Sequence, residues 1–149
     1  MLPDASDKVR QHLTASRDVM SQALADNALV SSIVAIAECM EKSLRGGGKI
    51  LLAGNGGSAA DAQHFAGELL SRLYFDRAPL PALALTTDSS VLTAIGNDYG
   101  YEDVFSRQVA GLGREGDVFV AISTSGKSPN ILKAVDAAHE KKIHTVALT

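Results

Sequence analysis

The sequence has no tryptophan and a single cysteine, Cys39, among its 149 residues. One thiol excludes an internal disulfide and a cysteine-built metal cluster. Cys39 lies inside an apolar helical pattern, so it reads as a small core residue in a reducing compartment. Long hydrophobic runs are also missing, and the start from Met1 to Asp7 lacks the basic flank and apolar stretch of a secretory signal. A cytoplasmic protein is expected, with no membrane partner. Positive charge is scarce: 14 Lys and Arg stand against 17 Asp and Glu, for a net charge of −3 with the signs interspersed. Such a surface offers no basic face to a phosphate backbone, which excludes nucleic acid as a direct ligand. Any phosphate must be held locally. What the chain does have is 13 glycines and 46% hydrophobic residues, enough for one domain to bury roughly two thirds of its unfolded surface.

Apolar residues recur at helical spacing from Val9 through Leu13 and Met20 to Leu24, and again at Leu29, Ile33, Ile36, Ala37, Met40 and Leu44. Two amphipathic helices are predicted within residues 1–47, the second stopped by Arg45-Gly46-Gly47-Gly48. Their stripes exceed what one small sheet face can cover, so a homo-oligomer is expected. Over residues 48–149, strand-like runs at Ile50 to Ala53, Ala82 to Leu85, Val118 to Ile122 and Thr145 to Leu148 are separated by helical patterns. That alternation predicts βαβ units, and the fold class is α/β: an open parallel-sheet, Rossmann-like sandwich preceded by two helices, in one domain. Ligands of such sheets lie beyond the carboxyl ends of the strands. Here those ends carry Gly54 to Ser58, Thr86 to Ser90 and Ser123 to Ser128.

In the run Gly54-Asn55-Gly56-Gly57-Ser58 a strand passes through a glycine-rich turn into a helix, where the backbone can approach a ligand and the helix dipole favours anions. Gly54, Gly56 and Ala59 fit the Gly-x-Gly-x-x-Ala form of the dinucleotide fingerprint. A dinucleotide site also wants an acid about 20 residues on, and Asp88 comes too late. The Asn55 amide in the turn suits sugar hydroxyls better than a pyrophosphate. One turn into the helix, His64 and Glu68 are spaced to share a face, either as a general base with its neighbour or as two ligands of a divalent ion such as zinc. The second loop, Ser123-Thr124-Ser125-Gly126-Lys127-Ser128-Pro129, sets four hydroxyls before a helix that Pro129 is suited to begin, and is the better phosphate site. Its Gly-Lys-Ser is not a nucleotide P-loop, because Ala121 stands where that motif needs glycine. Asn97-Asp98 reads either as a polar pair near the rim or as a helix stop.

Taken together, the glycine loop continuing to Glu68, Leu92-Thr93-Ala94-Ile95-Gly96-Asn97-Asp98-Tyr99-Gly100, and Ser123 to Asn130 resemble the sugar isomerase (SIS) domain family, and within it the phosphoheptose isomerases. The resemblance covers nearly the whole chain. It implies conversion of D-sedoheptulose 7-phosphate to D-glycero-D-manno-heptose 7-phosphate, an early step towards the heptose of lipopolysaccharide, by a cytoplasmic homotetramer that carries zinc. Residue by residue, it implies that Asn55, Gly56, Gly57, Glu68, Asn97, Asp98, Ser123, Thr124, Ser125 and Ser128 bind substrate. It further implies that His64 and Glu68 bind metal and that Glu68 is the catalytic base. Members of the family continue past the strand that ends here, through a strand and helix bearing a glutamine and a second acid/base histidine. The expectation is therefore a partial record of a longer polypeptide, or a catalytically incomplete protein. The rival class is a binding module, since relatives of this fold sense phosphosugars in regulators or bind the replication initiator. A sensor needs the phosphate loop but no base, so His64 with Glu68 favours the enzyme.

Overall fold

In the computed structural model, which describes residues 4–149, helix α1 (Ala5–Ala25) starts where the Asp4 carboxylate accepts the Ser6 N–H at 3.4 Å. It stops at Asp26, whose carboxylate accepts the N–H groups of Ala28 and Leu29 at 2.9 and 3.0 Å and so caps helix α2 (Asn27–Arg45). These are the two helices expected from the apolar spacing. The chain divides into two units, one reaching to Glu38 and one from Cys39 to Thr149. In the first, the α1 stripe of Val9, Leu13, Met20 and Leu24 is more than half exposed. Cys39 is only partly buried, a correction to its reading as a core residue: the helix stripe around it is largely uncovered within a single chain.

The second unit is built on four parallel strands, β1 (Ile50–Gly54), β2 (Ala82–Ala84), β3 (Val118–Ile122) and β4 (His144–Leu148), in the order β2-β1-β3-β4. Both central strands are buried at every position, which explains their unbroken apolar sequence. The crossovers are α3 (Gly57–Leu70) from β1 to β2, α4 (Ser89–Asp98) and α5 (Ser106–Leu112) from β2 to β3, and α6 (Pro129–Glu140) from β3 to β4. A 3-10 turn, Tyr101–Asp103, separates α4 from α5. The core packs Leu51, Phe119 and Ala121 of the sheet against Val104, Phe105, Ile131 and Ala134. Because β2 lies on one side of β1 while β3 and β4 follow on the other, the strand order reverses between β1 and β3. A crevice opens at that switch point, at the carboxyl ends of the two strands.

The opposite end of the sheet is fastened by one buried carboxylate. Asp117, just before β3, accepts hydrogen bonds from Lys49 Nζ at 2.6 Å, from the Lys49 N–H at 3.0 Å and from the Arg114 N–H at 2.8 Å. Burial pushes its carboxyl up, but the Lys49 ammonium and the two N–H groups outweigh that and hold its pKa below the ordinary 3.8. A group depressed in this way stabilises the fold fully above its unfolded pKa, and the contribution is lost as pH falls through the folded value. Urea midpoints should therefore drop between about pH 5 and pH 2 in the natural sequence. Asp117→Asn should lose roughly 3 kcal/mol at neutral pH, the low end for breaking a buried pair because Lys49 keeps some contact with water, and should show a flatter acid limb. An acid limb unchanged by the substitution would assign that dependence to other carboxylates.

Candidate functional site

Two loops meet at the switch point, and each opens a helix. β1 ends on Gly54, where a Cβ would stand 2.5 Å from the Ser58 carbonyl oxygen. Only glycine lets the first turn of α3 fold back this closely over the strand end. Gly56 then takes φ +55 and serves as N-cap of α3 with no side-chain hydrogen bond. No side chain caps this end of the helix, and the Ser58 N–H is taken by the Asn55 carbonyl at 3.0 Å.

Across the crevice, buried Ser123 follows β3, and its Oγ lies 3.1 Å from the Oγ of Ser128. Ser128 is the N-cap residue of α6 with Pro129 behind it, yet its hydroxyl makes no capping bond. Gly126, at φ +62, closes the loop by donating to the Ser123 carbonyl at 3.0 Å, and the Lys127 N–H reaches Ser125 Oγ at 3.2 Å. Thr124 and Ser125 are exposed. Hydroxyls that a helix terminus does not use for itself, gathered at its positive end, form a suitable cradle for a phosphate monoester.

The two loops are bonded to each other through Asn130. Its side chain exchanges both hydrogen bonds with Asn55 at 2.9 Å, and the Tyr101 hydroxyl donates to the same Asn55 oxygen at 3.2 Å. Asn130 closes the second-loop motif and Tyr101 follows the Asn97-Asp98 motif, but nothing local points either at Asn55; only the fold brings them to it. Asn97 and Asp98 occupy the last turn of α4, exposed and bonded to each other at 2.8 Å. Through Tyr101, three residues beyond Asp98, that segment joins the rim.

His64 and Glu68 do share one face of α3. Nε2 of His64 stands 3.7 Å from a Glu68 carboxylate oxygen, with side chains 80% and 35% exposed. The helix is closed just below this pair by Arg77, whose guanidinium donates to the carbonyls of Glu68 and Leu69, each at 2.8 Å. That contact is also invisible to sequence periodicity. A tetrahedral zinc takes four donors. The pair supplies two, and among the described residues no third His, Cys, Asp or Glu joins them.

The comparison with known proteins agrees with this geometry. Residues 11–149 match the SIS domain. The phosphoheptose isomerase of Aneurinibacillus thermoaerophilus is 56% identical over 144 residues, 97% of this chain and 73% of that protein. That of Burkholderia pseudomallei is 56% identical over 141 residues, 95% of this chain and 72% of the relative. Among solved structures, phosphoheptose isomerase from Neisseria gonorrhoeae superposes with a TM-score of 0.88 at 51% identity, covering 97% of this chain and 74% of that one. The Francisella tularensis enzyme gives 0.93 at 42% identity, covering 98% and 75%. The chain belongs to the SIS domain family, among relatives that are phosphoheptose isomerases.

Proposed function

We propose that this protein is an aldose–ketose isomerase that converts D-sedoheptulose 7-phosphate to D-glycero-D-manno-heptose 7-phosphate in heptose synthesis. The observation that carries the reading is a cluster of hydroxyls at the switch point that does not cap α6, together with the Glu68 carboxylate in the last turn of α3. The substrate has the same two poles: a phosphate on its seventh carbon and reacting carbons at the other end. In the reaction the Glu68 carboxylate takes a proton from the first carbon, the C–H electrons form the enediol double bond, and the former carbonyl oxygen takes a proton from a second acid/base group to become a hydroxyl. Glu68 then returns its proton to the second carbon while the second group takes the first-carbon hydroxyl proton, which gives the aldose. Positioned acid/base catalysis of this kind is worth about 100- to 10,000-fold. The resemblance assigns the second acid/base group to a histidine outside residues 1–149.

Substrate contacts are proposed for Asn55, Gly56 and Gly57 on the first loop, for Asn97 and Asp98, and for Ser123, Thr124, Ser125 and Ser128 on the second. Zinc is proposed as cofactor, with His64 and Glu68 as two ligands completed from outside the described residues; bound there, it would polarise the sugar carbonyl. The exposed α1 stripe supports assembly into a homotetramer. No single helix among the described residues is long and apolar enough to cross a membrane, and a cytoplasmic location is part of the proposal. The sensor alternative has no observation in its favour.

The base assignment is tested by solvent deuterium incorporation at the first carbon of sedoheptulose 7-phosphate, followed by NMR. Wild type should exchange and Glu68→Gln should not, while its fold and phosphate affinity persist. Equal rates would remove Glu68 as the base, and no exchange by intact wild type would overturn the isomerase. Ser128→Ala should weaken substrate binding by roughly 1.5 to 3 kcal/mol, the worth of a hydrogen bond to a charged group. Unchanged affinity would displace the phosphate from this loop. Light scattering should give four times the monomer mass, and a monomer would contradict the assembly.

A further inference from the structure

Asn130 is the second residue of α6, is 3% exposed, and directs both of its side-chain hydrogen bonds to Asn55. A primary amide has two donor hydrogens and an oxygen with two lone pairs. On Asn55 both lone pairs are occupied, one by Asn130 Nδ2 at 2.9 Å and one by the Tyr101 hydroxyl at 3.2 Å. One of its two Nδ2 hydrogens is given to Asn130 Oδ1, also at 2.9 Å. A single N–H remains, on a residue that is only half-buried at the mouth of the crevice. Left to itself, an asparagine in a glycine turn can rotate to offer either a donor or an acceptor. Here Asn55 can turn over only if Asn130 turns with it and the Tyr101 hydroxyl gives up donating, so the network couples the choice to two further residues.

We propose that Asn130, assisted by Tyr101, is a positioning residue that fixes the Asn55 amide as a hydrogen-bond donor and ties it to the helix terminus that receives the phosphate. The inference rests on the isomerase reading above. Proton abstraction next to a carbonyl drives negative charge onto the carbonyl oxygen, and a donor already held in place stabilises that charge without reorganising. The amide pair also bridges from the first residue after β1 to the second residue of α6. Phosphate held at Ser128 therefore sits at a set distance from the donor, and a shift of about 1 Å in such an arrangement is enough to cost on the order of 100-fold in rate.

The test is a double-mutant cycle with steady-state kinetics. Asn130→Ala should lower kcat by about 10- to 100-fold, while KM and inhibition by inorganic phosphate stay within about threefold of wild type. Asn130→Asp, isosteric but presenting an acceptor to the Asn55 oxygen, should lose as much as the alanine variant. The double variant Asn55→Ala/Asn130→Ala should be no slower than Asn55→Ala alone. Tyr101→Phe, which removes one exposed hydroxyl and cannot undo the core, should lower kcat by about two- to fivefold and keeps the test open if the Asn130 variants do not fold. Losses that appear only in KM and phosphate inhibition, that multiply in the double variant, or a Tyr101→Phe enzyme with wild-type kcat would each overturn the positioning role. An inactive wild type would instead count against the isomerase reading. The proposal would then be decided by the side-chain amide resonances of Asn55, which should move on adding sedoheptulose 7-phosphate to wild type and stay in place in Asn130→Ala; equal movement in both would overturn it.

Discussion

The site depends on a close approach that leaves no room for a side chain. At Gly54 the strand β1 stops directly beneath the first turn of α3, where a Cβ would meet the Ser58 carbonyl at 2.5 Å. Because β1 is buried between β2 and β3 at every position, its end cannot shift to make space. The helix is therefore fixed at its very first turn. From that fixed start, periodicity alone carries His64 and Glu68 onto one face. Arg77 closes the other end of α3 through two carbonyls. Helix position, rim and the His64–Glu68 contact all follow from one strand-to-helix junction.

The second loop repeats the device with different chemistry. β3 is as deeply buried as β1, and α6 begins at its end with a proline behind an N-cap serine that does not cap. One junction is thus rich in backbone and glycine, the other in hydroxyls, and the reversal of strand order sets them side by side. A substrate with a phosphate at one end and a carbonyl at the other matches that division. The buried Asp117 with Lys49 fastens the far end of the same sheet, so the ionic interaction that stabilises the core is kept apart from the polar rim.

Most of the architecture was legible in the sequence because its elements are long or fully buried. The runs at residues 50–53 and 118–122 carry no polar residue, and the two early helices show several turns of apolar spacing. Both loops were legible because glycines and clustered hydroxyls at strand ends have few other uses. What escaped was short or non-local. Helix α5 has seven residues, fewer than periodicity needs to declare itself. Its Gln108, which donates from the core to the carbonyls of Leu85 and Val104 at 3.0 and 2.7 Å, reads as a surface residue by type. Asn130 stands 75 positions from Asn55 and Tyr101 stands 46 from it, so no spacing rule links them.

Division of the substrate between the two loops is tested by a crystal structure of the protein with sedoheptulose 7-phosphate bound. Phosphate oxygens are expected on the hydroxyls of Ser123 to Ser128 at the start of α6, with the first two carbons of the sugar beside Glu68. A phosphate seated on Gly54 to Ser58, with the carbonyl end turned towards Ser128, would contradict it.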